Sequence, residues 1–306
     1  MNVSLQGIFS QARQHKQFYT MRKDKGTESN RMKVVVLIDN NPGTCAELQT
    51  EHGLSIYMES GGRKILLDTG ASGKFAENAA KLHVDISEVD VLILSHAHRD
   101  HTGGLAEFLK LNDRARIFLS AHIAGTCFTS TRGGVQRDIS PDFSLFKTHP
   151  ERFTRVTHNV LMAPNIEIIC RFPHFFDQPQ ANRTLFANNM PDDFRHEIAL
   201  LVHHPQGNII FSSCSHHGIL NTLAACGNPD AIAYIGGTHL LDSDSENQYE
   251  TDAQIAAIAR KTIALYPQIK LFTGHCTGIK TQKIFSEILQ ERFAVFYSGF
   301  QTDIFD

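Results

Sequence analysis

The 306-residue sequence has no tryptophan, and no apolar run approaches the roughly 18–20 residues that a membrane span needs. Neither sign of charge dominates: 29 basic against 32 acidic residues leave a net charge of -3. That balance provides no basic field for a nucleic-acid backbone and no acidic tail, so nucleic-acid and membrane partners are not expected. The first twenty residues lack the basic-then-apolar order of a signal peptide, and a cytoplasmic protein is expected. The six cysteines (Cys45, Cys127, Cys170, Cys214, Cys226, Cys276) contain no closely spaced pair, which argues against a disulfide framework. An apolar share of 42% is enough for an ordinary globular core. Histidine is the exception to this plainness, with 17 residues.

Residues 1–31 are polar, carry mixed charge and read as an N-terminal extension; Met32 opens a domain that runs to residue 306. Lys33 to Asp39 is a β-branched strand ended by Asn40-Asn41-Pro42-Gly43. Leu54 to Met58 and Lys64 to Asp68 bracket Ser60-Gly61-Gly62-Arg63 as a hairpin, Gly73 to Leu82 has helical spacing, and Val91 to Leu94 is a buried strand. The second half repeats this order. His196 to His203 and Asn208 to Ser212 form a hairpin, Gly218 to Ala225 starts a helix, and strands at 231–235 and 269–272 alternate with helices at 252–265 and 281–289. Two half-chains of similar order suggest two sheets packed between helices. Residues 123–195, rich in proline, break the pattern and read as a long, partly irregular insertion of the kind that forms lids or substrate loops.

The strongest chemical signal is Ser95-His96-Ala97-His98-Arg99-Asp100-His101-Thr102-Gly103-Gly104, directly after a buried strand. In a tight strand-to-helix turn, His96 and His98 can converge on one ion while Asp100 and His101 face a second; imidazole with carboxylate suits zinc, iron or manganese. Two further strands end in small residues, histidine and glycine: Ser213-Cys214-Ser215-His216-His217-Gly218 and Gly274-His275-Cys276-Thr277-Gly278. His216 is favoured as the ligand of its pair, leaving His217 as a supporting residue or substrate contact. Cys214 and Cys276 are either ligands or small buried residues. Asp68 ends a strand and is placed to hydrogen-bond the free nitrogen of a ligating histidine. His239, also at a strand end, is a substrate or developing-charge contact, whereas His122 and His174 read as structural. Arg132-Gly133-Gly134 and Arg171 to Phe176 are candidate linings for an anionic or aromatic substrate.

The pattern His96-x-His98-x-Asp100-His101 resembles the metal motif of the metallo-β-lactamase superfamily, and the resemblance extends over nearly everything from residue 33 on. Asp39 to Pro42, Leu66 to Gly70, Leu94 to His96, Cys214 to Gly218, Gly236 to Leu240 and Gly274 to Gly278 together resemble a subgroup typified by 7,8-dihydropterin-6-methyl-4-(β-D-ribofuranosyl)-aminobenzene-5'-phosphate synthase. The resemblance implies an α/β, four-layer αββα sandwich with metals at the sheet edge. Many members carry a bridging aspartate where this chain has Ser213-Cys214-Ser215-His216, which leaves the sharing of ligands between the ions open.

The expectation is therefore a binuclear metal-dependent hydrolase that uses a metal-bound hydroxide. The ions are two divalent metals, zinc first, with manganese or iron as alternatives. His96, His98 and His216 take one; Asp100, His101 and His275 take the other. Asp100 also handles a proton, and His239 holds the anionic intermediate. A phosphate ester or phosphodiester is the expected small-molecule substrate, and a homo-oligomer is compatible with the reading. The alternatives are a pterin-linked synthase or redox enzyme with iron or manganese, its substrate bound by Phe175 and Phe176, and a non-catalytic metal-dependent binding protein.

Overall fold

The computed structural model describes residues 32–226 and 230–304; the extension read over 1–31 lies outside the described residues. Side chains alternate between faces along a strand, and Val34 to Ile38 and Ala199 to Val202 are buried without a break, so both faces are covered, which requires a layer on each side of each sheet. Val34 and Val36 face one way with Ile56, Met58, Ile65 and Ile93, and meet Ile168, Leu200, Phe211 and Ile235 of a second sheet. Val35 and Leu37 face the other way, with Tyr57, Leu66 and Leu92, against Phe75, Ala79, Leu105 and Phe108 of the helices Lys74–Lys81 and Leu105–Leu111. The second sheet's outer face packs Leu201, Ile210, Tyr234 and Leu271 on Ile255, Ala259, Phe285 and Leu289. The helices there are Ile219–Ala225, Asp252–Leu265 and Ile279–Leu289. The result is helix, sheet, sheet, helix, the expected αββα order. Each fully buried aliphatic or aromatic side chain adds roughly 1.5–3 kcal/mol.

Each large sheet has seven strands. The first runs in the order Gln301–Asp303, Lys33–Ile38, Ser55–Ser60, Arg63–Leu67, Val91–Ile93, Arg116–Ser120, Phe153–Val156. The second runs Phe293–Val295, Lys270–Thr273, Ala231–Gly236, Asn208–Ser212, Ala199–Val202, Ile166–Ile169, Val160–Ala163. Strands 63–67, 91–93, 116–120 and 153–156 are mutually parallel, as are 208–212, 231–236, 270–273 and 293–295. Their carboxyl ends, where open α/β sheets place ligands, therefore gather at one edge of each sheet.

The segment read as an insertion is only partly one. Phe153–Val156 closes the first sheet, and the hairpin Val160–Ala163 with Ile166–Ile169 closes the second. Each of these strands has just four residues and lies among prolines, too short for a period of two to stand out. What remains is a separate four-stranded sheet of Met190–Pro191, Leu185–Ala187, Phe128–Ser130 and Arg137–Asp138. It leans on the histidine motif: the Phe128 ring lies 4.6 Å from that of His196 and 6.2 Å from that of His98.

Candidate metal centre

Each chemistry-bearing residue sits just beyond the carboxyl end of a parallel strand. Asp68 follows Arg63–Leu67, His96 follows Val91–Ile93, Cys214 and His216 follow Asn208–Ser212, His239 follows Ala231–Gly236, and His275 follows Lys270–Thr273. Sharp turns are needed there, and the backbone supplies them: Asp68, Ser215, His239 and His275 all have positive φ, at 62°, 58°, 52° and 49°. Non-glycine residues rarely accept this conformation, and it collects at functional sites. After the motif, a Cβ on Gly103 or Gly104 would collide with the carbonyls of Ala71 and Thr69, so only glycine lets the following helix press against the loop after Asp68.

The first ligand set is His96, His98 and His216. All three are buried, their ring centroids lie 4.6–5.0 Å apart, and one nitrogen of each falls within 4.8 Å of the others. Ser95 donates its hydroxyl to Asp68 Oδ2 at 2.6 Å, so the Ser95 oxygen receives the Nδ1 proton of His96 at 2.8 Å. Asn182 donates to the His216 carbonyl and offers its own amide oxygen to His216 Nδ1 at 3.1 Å. Both protons are thus committed to Nδ1, and the Nε2 lone pairs turn inward. Nε2 of His96, His98 and His216 is buried and has no hydrogen-bond partner among the described residues. Burial drives all three imidazoles towards the neutral form; His98 falls to about 3 and the other two go well below the usual histidine range. Three buried acceptors aimed at one point would each be costly if nothing bound there, and neutral imidazole is the form that ligates a divalent metal.

The second set is Asp100, His101 and His275. His101 Nε2 is 3.0 Å from His275 Nε2, and Asp100 Oδ2 lies 3.5 and 3.4 Å from those two nitrogens. Asp68 accepts the His101 Nδ1 proton at 2.8 Å, and Asn40 Oδ1 accepts that of His275 at 3.0 Å. Asn40 also donates from its amide nitrogen to His52 Nδ1 at 3.0 Å, which leaves the His52 proton on Nε2, 3.4 Å from Asp100 Oδ2. His52 is therefore a donor to Asp100 and not a ligand of the same kind. Burial opposes charge on His101, but Asp100 and Asp68 outweigh it and raise the imidazole to about 9. Burial would raise Asp100, yet His101 and His275 hold its carboxyl well below the usual range.

Between the sets lie Cys214 and His239, both buried. The Cys214 sulfur is 3.3 Å from His101 Nε2 and groups with ligand atoms of His96, His216, His239, His275 and Cys276. Neither ring nitrogen of His239 is hydrogen-bonded among the described residues. Burial first, and then the charge of Arg132, push its imidazole well below the usual range. Arg132 is half-buried with an unpartnered Nε, so a guanidinium approaches the same wall.

Other expected residues fall elsewhere. His217 donates from Nε2 to the Phe194 carbonyl at 3.1 Å and stacks on Phe172 at 4.4 Å. His122 and His174 are exposed, the His174 ring lying 5.7 Å from that of His217. Phe176 packs on the outer core of the second sheet with Lys261 above its ring, so it is not available to stack a substrate; Phe175 is exposed.

Four residues of the site carry no signal that sequence reading used. Asn40 and Asn182 fix two tautomers from loops 235 and 34 residues away. Glu197 accepts the backbone N–H groups of His216 and His217 at 2.8 and 3.1 Å, and its burial lifts its carboxyl to about 7. His196 accepts the Ala97 N–H on Nδ1 at 3.1 Å and donates from Nε2 to Asp192 at 2.9 Å, bracing the motif with both nitrogens in use.

Residues 49–123 match the metallo-β-lactamase superfamily. Over 293 residues, 88% of this chain and 95% of the relative, the sequence is 28% identical to 7,8-dihydropterin-6-methyl-4-(β-D-ribofuranosyl)-aminobenzene-5'-phosphate synthase of Methanocaldococcus jannaschii. A Staphylococcus epidermidis metal-dependent hydrolase is 37% identical over 86 residues, 28% of this chain and 35% of that protein. The solved structure of Tm1679, a metal-dependent hydrolase of the β-lactamase superfamily, superposes with a TM-score of 0.71 at 26% identity, covering 89% of this chain and 98% of that one.

Proposed function

For a chain with the fold and the metal motif of the metallo-β-lactamase superfamily, we propose a binuclear metal-dependent hydrolase acting on a phosphate ester or phosphodiester. The observation that carries it is the convergence of three buried imidazole nitrogens of His96, His98 and His216, unpartnered among the described residues, beside a second set that contains the ionised Asp100 carboxylate. Donor chemistry fits divalent metal: neutral nitrogens in the first set, a carboxylate and two imidazoles in the second, zinc first and manganese or iron as alternatives. Two bound divalent ions would supply Lewis acidity, making water nucleophilic near neutral pH and polarising the ester oxygen.

The protein's own residues do the rest. Asp68, Asn40 and Asn182 keep the ligating imidazoles in one tautomer and orientation. Asp100, held ionised, serves better as an anionic ligand than as a carrier of protons. His239 is neutral, keeps one N–H, and has no partner for either nitrogen, so it can donate to an oxygen that gains negative charge. Arg132 favours an anionic substrate: its buried Nε is free for a charge-assisted hydrogen bond with a phosphate. The reading is tested by metal analysis combined with hydrolysis of aryl phosphomonoester, phosphodiester and lactone substrates before and after chelation. Chelator-sensitive cleavage of the phosphate substrates supports it; no cleavage with a full metal complement overturns it.

A second reading, a pterin-linked synthase with iron or manganese, is favoured by the 28% identity to the Methanocaldococcus jannaschii synthase across 88% of this chain. Iron or manganese in the purified protein with no hydrolysis would select it.

A further inference from the structure

We propose that Cys214 is a thiolate ligand common to the two metal sets. The inference rests on the metal-site reading above and specifies one of its residues. The Cys214 sulfur, 3% exposed, lies in the turn after Asn208–Ser212, and Ser215 in left-handed conformation swings the chain so that Cys214 and His216 both face the centre. It is 3.3 Å from His101 Nε2 of the second set. It also falls within 4.8 Å of the ligand nitrogen of His96 in one trio, of those of His216 and His239 in another, and of His275 and the Cys276 sulfur in a third. Cys214 thus groups with residues of both sets, His96 and His216 of the first and His101 and His275 of the second.

The neighbouring thiol has a different task. Cys276 donates its S–H to the Cys214 carbonyl at 3.6 Å, and its sulfur fills the space that a Cβ on Gly237 would need. Cys276 thus positions the Cys214 loop, whereas the Cys214 sulfur points among unpartnered imidazole nitrogens. With a divalent cation bound there, the thiol would release its proton to solvent and hold the cation as thiolate. Where many members of the superfamily carry a hard carboxylate after this strand, this chain has a soft sulfur. Soft thiolate selects zinc, iron or copper(I) over magnesium and calcium, so the site should discriminate against the hard alkaline-earth ions.

The test is cobalt(II) substitution of the metal-free protein, read by absorption and by bound-cobalt stoichiometry. A thiolate ligand gives an intense sulfur-to-cobalt charge-transfer band in the near ultraviolet. The band is expected in the wild type and in Cys276→Ser, and is expected to be lost in Cys214→Ser while cobalt still binds. X-ray absorption of zinc-loaded wild type, which needs no variant to fold, should show a sulfur neighbour at about 2.3 Å. Cobalt bound without the band or a sulfur neighbour overturns the inference and leaves the metal site intact. A band that survives in Cys214→Ser and disappears in Cys276→Ser overturns it in favour of the other cysteine. A wild type that takes up no cobalt overturns the metal-site reading itself, and the inference with it.

Discussion

The rings of His96 and His101 stand 4.1 Å apart, yet the two ligand sets to which they belong are balanced in opposite ways. His96, His98 and His216 are buried and burial holds them neutral; among the described residues no carboxylate or other group hydrogen-bonds their inward nitrogens. His101 and His275 lie against Asp100, whose side chain is 21% exposed, and Asp68 sits behind His101. That neighbourhood favours positive charge at His101, raised to about 9 by Asp100 and Asp68, while burial still lowers His275 to about 4. The first set is thus shaped for a cation by neutral lone pairs alone, and the second by the Asp100 carboxylate beside one charged and one neutral imidazole. Substitutions should separate the two.

The largest effect is expected in the lone-pair set. His98→Ala removes one of three converging nitrogens, and hydrolysis should fall about 10²–10³-fold, the rate equivalent of several kcal/mol of transition-state charge stabilisation. Metal content should fall in parallel while circular dichroism stays native. A metal-depleted His98→Ala protein with full activity would remove the basis of the comparison. Asp68→Asn strikes the charged set through its support. It takes the anion from behind His101 and weakens the acceptor shared with Ser95. A loss of about 10–100-fold in affinity is expected for the second-set metal, as for other residues that orient ligands, and a smaller loss for the first, which Asp68 reaches only through Ser95, measured by competition with a chelator. Equal weakening of both metals would mean that the sets are not separate.

Arg132→Ala should act on substrate and not on metal. Loss of a charge-assisted hydrogen bond, about 1.5–3 kcal/mol, lowers kcat/KM roughly 10–100-fold for a phosphate ester. A neutral lactone should be unaffected, and an equal loss on both substrates would contradict an anion-binding role. His52→Ala is expected to do least. His52 is 63% exposed and presents an Nε2 proton to Asp100, so metal stoichiometry should not change. Loss of a metal in that variant would move His52 into the second set.

Much of this centre was legible from sequence because each ligand candidate closes a buried strand with small residues and glycine around it. That pattern marked His96, His98, Asp100, His101, His216 and His275 at three places in the chain, and the fold brings the three places together at the sheet edges. Asp68 was legible for the same reason. Asn40 and Asn182 were not assigned roles because an amide that fixes a tautomer has no spacing relative to its histidine; the contact exists only after both sheets have packed. Glu197 and His196 carry no signal for a related reason: the sequence places them inside a strand running from His196, whereas the strand begins at Ala199 and both lie in the turn before it. The segment 153–169 was misread because strands of four residues are too short to reveal their period, although their residues complete both large sheets.

The central claim is that the converging nitrogens of the two sets hold two metal ions, and its most direct test is the metal content of the protein after reconstitution with zinc and removal of excess ion. Two zinc ions per chain by elemental analysis, with fewer in His98→Ala, is the predicted result. Retention of no zinc by the wild type would contradict the account.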